Sequence, residues 1–372
     1  MKVLVATPWY PTPQHPIDGV FVREQVRGLA EHHDVAVLHI APPVAGPAPP
    51  TRVDGIPVFT ASWRARTGPI GRVRAVLDAV RRIRRSGFEP DLVHAQIAAK
   101  SVPALVAAKR LSVPLVVTEQ WSRVMDLDPR PLPPGQRRSA AAVYQGADAV
   151  LAVGSELRRA IKDLTPRARV LVVPNPVDTT VFHPGLRPTA TEDGRLRLIT
   201  TGRLVDYKGV DQVLRATALL RDRGLDPHLD VIGEGPELGR LRAMAADLRL
   251  ADAVRFHGRQ HKADFAPLVA AAHVAVVAGD FETFCVAGIE ALACGTPVVA
   301  TRCGGPQDYI TPRNGRLVPL WEPGLMANAI ADLVDRADVG SPEEIARATA
   351  AEYGIDAVGR RIAGIYQRLH RR

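Results

Sequence analysis

The segment from Val274 to Tyr309 constrains this chain most. Val274 to Ala278 is an apolar run that reads as a buried strand. Good helix formers run from about Phe284 to Cys294, and Gly295 is a stop signal. Pro297 to Thr301 reads as another short strand, and Gly304-Gly305 opens another loop. A strand, loop, helix, strand unit of this kind belongs to a layered α/β domain with a parallel sheet. The alternation recurs along the chain, with strands expected at 2–8, 35–40, 56–61, 92–96, 115–120, 149–155, 170–174, 196–201 and 254–258, and a strand with its loop at 229–236. At 372 residues the chain is too long for one ordinary core, so two domains of about 180 residues are expected.

The same segment carries chemistry. Its first loop delivers backbone N–H groups at a helix start, where an anion is welcome. Glu290 lies further along that helix, eight residues after Glu282. A carboxylate there accepts hydrogen bonds from a sugar diol but repels a phosphate, so the arrangement suits a ligand carrying both. A second strand, Leu196 to Thr201, runs into Gly202-Arg203-Leu204 and then Lys208-Gly209. Two cations five residues apart at a strand end are placed to grip a diphosphate, Lys208 as a point charge and Arg203 as a planar fork. In the first half, ligands of open sheets are expected beyond the strand ends. That makes His94, Gln96, Glu119, Gln120 and Trp121 cleft candidates, although a lone histidine at a strand end, such as His94, more often serves the structure. Gly19 serves either a close backbone approach to a ligand or a helix-start turn.

Composition adds limits. The net charge of +9 is compatible with an anionic membrane, an acidic substrate or nucleic acid, and does not choose among them. Of 48 basic residues only six are lysines. No basic-aromatic motif of a nucleic-acid binder is present, and no G-x-G-x-x-G follows an early strand, so a nicotinamide dinucleotide is not expected. The helix expected over Arg72 to Arg85 puts Val73, Val76, Val80 and Ile83 on one face and arginines on the other. With Arg64 and Arg66 it is either a solvated face or a contact with anionic lipid. Ala41 to Pro50 and Leu186 to Gly194 read as exposed loops, the second at a domain boundary. No apolar run is long enough to span a bilayer and no leader pattern opens the chain, so a cytoplasmic protein is expected. The three cysteines, Cys285, Cys294 and Cys303, form no C-x-x-C motif, so neither a disulfide framework nor a zinc site is expected. All three lie in the Glu282–Tyr309 region, so an alkylating reagent is expected to inhibit, although no catalytic thiol is assigned.

The stretch from Glu282 through seven residues to Glu290, then A-x-A-x-G-x-P-V-V-A and Gly304-Gly305, resembles the donor motif of the retaining glycosyltransferases of family four, which have the GT-B fold. Gly202-Arg203-Leu204 with Lys208-Gly209 also resembles that family, as does Asn175-Pro176-Val177-Asp178 at its interdomain hinge. Cys285 and Pro176 stand where many relatives have glycine, Asp18 where many have the first of two glycines, and Gln120 where many have a histidine that contacts the transferred sugar.

The resemblance implies two Rossmann-like domains facing a central cleft. Residues 1–178 would take the acceptor, with helix 355–372 packing back on them, and 179–354 would take the donor. It implies transfer from a nucleotide-diphospho-sugar, UDP in preference to GDP, to a hydroxyl of a glycan, glycolipid or small metabolite. Arg203, Lys208 and Glu282 would act at the reacting centre. Thr283, Phe284, Cys285, Val286, Glu290, Gly19 and Gln120 would bind the donor. His94, Glu119 and Trp121 would line the acceptor side. No metal, cofactor or nucleic acid is implied, and a membrane contact through the 72–85 helix is. The competing readings are a sugar phosphorylase or epimerase on the same fold, a catalytically silent relative, and a basic nucleic-acid-binding protein.

Overall fold

The computed structural model describes residues 1–12, 18–40, 50–64, 67–186, 194–335 and 339–370. Most of the loop expected at 41–50, most of that at 186–194, and Arg66 lie outside those residues. The chain divides into two compact units, Met1–Pro176 with Ile355–Arg372, and Val177–Gly354.

The first unit is built on eight strands: β1 (Lys2–Thr7), β2 (Asp34–Ile40), β3 (Thr51–Val53), β4 (Ile56–Ala61), β5 (Leu92–Gln96), β6 (Leu115–Glu119), β7 (Ala149–Ala152) and β8 (Val170–Val172). Their order is β3-β4-β2-β1-β5-β6-β7-β8. Every pair is parallel except β3–β4, a hairpin in which Val53 faces Ile56 across Asp54-Gly55. Both turn residues have positive φ, 51° and 78°, which is why an Asp-Gly pair closes it. The central strands are buried on both faces and accordingly read as unbroken apolar runs. The connecting helices are α1 (Val20–Ala30), α2 (Gly68–Arg85), α3 (Val102–Leu111), α4 (Pro134–Gly146) and α5 (Ser155–Leu164). Helix α2 begins four residues before the expected Arg72, because Pro69 fits a first helical turn.

The second unit has six parallel strands, β9 (Leu196–Thr201), β10 (Pro227–Ile232), β11 (Val254–Gly258), β12 (Val274–Val277), β13 (Val298–Thr301) and β14 (Gly315–Val318), in the order β11-β10-β9-β12-β13-β14. Its helices are α6 (Val210–Asp222), α7 (Leu238–Asp247), α8 (Lys262–Ala271), α9 (Val286–Ala293), α10 (Pro323–Asp335) and α11 (Pro342–Tyr353). Helix α9 starts at Val286, two residues after the expected Phe284. Cys285 sits at φ 69°, outside the helical region, and caps the helix instead.

The last helix, α12 (Ile355–His370), belongs to the first unit and lies against α1. A Cβ on Gly359 would stand 2.2 Å from the carbonyl oxygen of Gly28, so two glycines let the helix backbones meet. Its stripe of Val358, Ile362, Ile365, Tyr366 and Leu369 joins the core formed with β1, β2 and β6. Each such side chain buried contributes about 2 kcal/mol.

His94 ties α12 to the sheet. The ring is fully buried, with Thr118 Oγ1 at 2.7 Å from Nε2 and the Tyr366 hydroxyl at 2.6 Å from Nδ1. Burial pushes its pKa down to about 3. Below pH about 6.5 the unfolded chain takes up a proton that folded His94 refuses, so stability falls as pH drops from 6.5 toward 3 and is untouched above pH 7. Denaturant unfolding at pH 7 and pH 5 is expected to show wild type losing about 2 kcal/mol more than His94→Gln over that interval. Equal losses would remove His94 from the acid response.

Candidate active site

In the second unit the chain runs outward through β9, β10 and β11 and then crosses to β12, β13 and β14. The order therefore reverses between β9 and β12, and the loops beyond their carboxyl ends part into a crevice where open α/β sheets take ligands. Lys208 comes from the loop after β9 and Glu282 from the loop after β12. The topology makes these loops neighbours, and Lys208 Nζ donates to Glu282 Oε1. Burial opposes the Lys208 charge, but Glu282 more than offsets it and holds the ammonium above its ordinary range. The Glu282 backbone is fixed on both sides: its N–H donates to Cys303 O at 2.7 Å and its carbonyl accepts from Gly305 N at 2.8 Å. Only glycine fits at 305, since a Cβ there would stand 2.3 Å from Phe284 Cα.

Around this pair the loops present both charge and hydrogen-bond donors. Arg203 is exposed and makes no side-chain hydrogen bond or ion pair among the described residues. Thr283 and Val286 are half-buried, Phe284 and Cys285 buried. The first N–H groups of α9 have no acceptor within the helix. Cys285 carries a side chain in a left-handed conformation that glycine adopts freely, which explains the glycine preferred here in the resembling family. The Tyr309 hydroxyl donates to Cys285 O at 3.1 Å and secures this cap. Glu290, 6% exposed, has its Oε1 2.7 Å from Nζ of Lys262, which stands at the start of α8. Asp280, beside this loop, is pushed up to about 6 by burial and then by Asp211 and Asp206. Among the described residues no three His, Cys, Asp or Glu side chains converge as a metal site.

All three cysteines are free and buried. Burial pushes the Cys285 thiol up, and the Cys303 thiol up to about 12. This corrects the expected sensitivity to alkylation, because all three sulfurs are covered and burial disfavours the reactive thiolate of Cys285 and Cys303. Iodoacetamide at pH 7.5 is expected to leave the native protein unmodified by mass spectrometry, with all three labelled only after denaturation.

The first unit places its candidates differently. Glu119 is fully buried, and its two oxygens accept from Ala98 N, Gln120 N, Trp121 N and the Tyr144 hydroxyl, a set that shapes the loop after β6. Burial raises its pKa, against those four donors. His94 lies in the core, as described. Gly19 caps α1 at φ 69°, and a Cβ there would stand 2.4 Å from Trp9 O, so its own chain already requires glycine. Gln120 is half-buried and donates to Gln96 Oε1 at 2.9 Å, and Gln96 donates to Gln25 Oε1 at 2.6 Å. Trp121 is half-buried, with the Lys100 ammonium 5.8 Å and the Arg123 guanidinium 5.3 Å from its ring centre. On α2, Arg82 donates to Thr60 O, Arg81 pairs with Asp78 and Arg84 with Glu89.

The comparisons agree with this layout. The model for glycosyl transferases group 1 matches residues 187–351, and that for glycosyltransferase family 4 matches 19–181. A D-inositol 3-phosphate glycosyltransferase of Acidothermus cellulolyticus is 32% identical over 94% of this chain and 80% of its own. The chain belongs to the group 1 glycosyltransferases. A GDP-mannose-dependent phosphatidylinositol dimannoside mannosyltransferase of Mycobacterium tuberculosis is 35% identical over 45% of this chain and 44% of its own. Among solved structures, Anabaena HepE in complex with UDP has a TM-score of 0.78 at 20% identity, covering 99% of this chain and 100% of that one. The fold of this glycosyltransferase is GT-B, with two parallel-sheet α/β domains.

Sequence reasoning missed Lys262, Tyr309 and the cations around Trp121. For Lys262 the signal was present: a lysine just past a strand, in a chain with only six.

Proposed function

We propose that this glycosyltransferase retains anomeric configuration and moves a sugar from a nucleotide-diphospho-sugar to an acceptor hydroxyl. The observation that carries the reading is the meeting of Lys208 and Glu282 at the strand-order reversal of the second unit, with Arg203 exposed in the loop that follows β9 and Glu290 further along α9. Arg203 and Lys208 stabilise the charge that grows on the leaving diphosphate, aided by the N–H groups at the start of α9. Glu282 holds hydroxyls of the transferred sugar and Glu290 the ribose diol.

As in the family it resembles, the bond from the anomeric carbon to the diphosphate oxygen breaks on the face where the acceptor oxygen bonds. The acceptor proton passes to the leaving phosphate. No protein nucleophile is required. In this reading Arg203 and Lys208 neutralise the diphosphate in place of a metal, and transfer is metal-independent.

The UDP carried by the HepE neighbour supports uracil as the base, and the GDP-mannose named for the mycobacterial relative is the competing case. A thermal-shift panel with UDP, GDP and ADP decides. A ligand at 100 times its dissociation constant adds about 2.7 kcal/mol, which moves a protein of this size by several degrees. UDP is expected to give the largest shift, and turnover is expected to survive EDTA. No shift with any nucleotide overturns the donor reading, and a shift without turnover marks a silent relative.

No helix among the described residues is long and apolar enough to cross a membrane. A peripheral contact through α2 would rest on Arg74 and Arg85, both exposed, and on Ile70, 69% exposed at its start.

A further inference from the structure

The first unit has a strand-order reversal of its own. From β1 its chain runs outward through β2 to β4, then crosses back to β5 and continues through β6, β7 and β8, so the order reverses between β1 and β5. Open α/β sheets take ligands at such a reversal, beyond the carboxyl ends of the strands. Gln96 is the last residue of β5, Gln120 follows β6, and Gln25 lies on α1, the helix that follows β1. Their amides are joined in a row: Gln120 Nε2 donates to Gln96 Oε1 at 2.9 Å, and Gln96 Nε2 donates to Gln25 Oε1 at 2.6 Å. Gln25 and Gln96 are 2% and 0% exposed and Gln120 is half-buried, so the row leads from the interior outward.

Both bonds run the same way, each nitrogen donating toward the interior. A planar amide whose nitrogen is engaged on one side turns its oxygen to the other. Gln120 Oε1 is accordingly left on the side away from Gln96, and it accepts no hydrogen bond among the described residues. At the inner end Gln25 Nε2 is buried without a partner. A buried donor left unpaired costs stability, and a half-satisfied polar row is worse than apolar side chains in the same space. The row therefore lowers stability where apolar side chains would raise it, and departures of that kind are expected where a site needs them. What the row offers is a neutral acceptor oxygen. Such an oxygen takes a hydrogen bond from a hydroxyl and attracts neither a phosphate nor a carboxylate.

We propose that Gln25 and Gln96 are positioning residues that fix which end of the Gln120 amide meets a substrate. They hold its oxygen outward, where it accepts from a sugar hydroxyl. The inference rests on the glycosyltransferase reading. The hydroxyl belongs either to the sugar that is moved or to the acceptor, since both offer the same donor.

The test compares wild type with Gln96→Glu, Gln120→Met and the double variant Gln25→Met/Gln96→Met. A glutamate at 96, ionised or neutral, still accepts from Gln120 Nε2 and so keeps the outer amide in place. The two methionines fill the space and remove the row. Binding is followed by tryptophan fluorescence, to which Trp121 contributes as the residue after Gln120. In the donor arm the ligands are UDP and UDP-glucose, and the ratio of their affinities isolates the sugar. In the acceptor arm methyl α-glucoside is titrated with UDP saturating. In at least one arm wild type and Gln96→Glu are expected to bind the sugar alike. The double variant and Gln120→Met are expected to bind it roughly two- to tenfold more weakly, the size of one neutral hydrogen bond. Adding Gln120→Met to the double variant should weaken it no further, because the inner amides act through the outer one. Thermal midpoints are expected to run against this order, unchanged or higher in the double variant and lower in Gln96→Glu, which buries a carboxyl group. Inner glutamines that serve packing alone leave sugar affinity at the wild-type value in the double variant, and that result overturns the proposal. It is overturned equally if Gln96→Glu loses as much sugar affinity as the double variant, or if wild type binds sugar in neither arm. Unchanged UDP affinity shows that the variants are folded, and failure of UDP to bind wild type sinks the donor reading separately.

Discussion

Lys208→Met is expected to lower kcat by on the order of 10²- to 10³-fold while leaving KM for the donor within several-fold, because charge on the leaving diphosphate is fullest in the transition state. Lys208 is poised for this. Its partner Glu282 favours the protonated form despite burial, so in the proposed reaction it would meet the diphosphate as a cation. The methionine keeps the length of the stem and removes the charge. It also leaves Glu282 without its cation, so Glu282→Gln in the same background separates the two effects. If the pair acts as a unit, the double variant is little slower than Lys208→Met alone, and the interaction energy of the cycle is well away from zero. Since the pair is partly exposed, with side chains 29% and 12% accessible, the thermal midpoint is expected to fall by only a few degrees. A Lys208→Met enzyme with wild-type kcat would show that the lysine is only the salt-bridge partner of Glu282.

The fold was legible because its signals are local and periodic. Apolar runs such as Val274–Val277 and Val298–Thr301 are strands in the structure, and Gly295 ends a helix where expected. The antiparallel β3 was missed, because its three residues carry too little alternation to read as a strand and the Asp54-Gly55 turn was not used. The site was half legible. Motif spacing brought Glu282 and Lys208 to one crevice, but their ion pair depends on β9 and β12 being neighbours, which is a fact of strand order and not of sequence distance. Lys262 and Glu290 meet for the same kind of reason, α8 lying against α9. Glu119 was misjudged in the other direction, and for His94 the structural alternative is the one observed. A polar residue at a strand end can face a ligand or the interior, and only packing decides. Tyr366, 272 residues away in sequence, takes one ring nitrogen of His94, and Tyr144 takes one oxygen of Glu119. Composition also held an unused clue. In a chain that favours arginine so strongly, Lys100, Lys208 and Lys262 each mark a strand's carboxyl end where a compact point charge is needed.

Glu290 supplies the second large effect, and its test reads a single hydrogen bond. If Glu290 binds the ribose diol, wild type binds UDP more tightly than 2′-deoxy-UDP, while Glu290→Gln binds both weakly and without distinction. A hydrogen bond to a charged group contributes about 1.5–3 kcal/mol, so the dissociation constant for UDP is expected to rise roughly 10- to 150-fold in the variant. Stability should respond in the opposite order. In Glu290→Gln, Lys262 is about one-third exposed on a flexible stem, so its charge stays accessible to water. In Lys262→Met the carboxylate, 8% accessible, stays in place without its cation. Removing one partner of a buried pair leaves an uncompensated charge and costs up to about 3–5 kcal/mol, the lower part of that range applying here because Lys262 is partly hydrated. Calorimetric titration and thermal unfolding of the two single variants therefore dissociate the roles. Glu290→Gln loses ribose discrimination with a modest change in midpoint, and Lys262→Met keeps discrimination with the larger drop. If Glu290→Gln still distinguishes the two nucleotides as wild type does, the ribose is held elsewhere and Glu290 serves only as the counter-charge of Lys262.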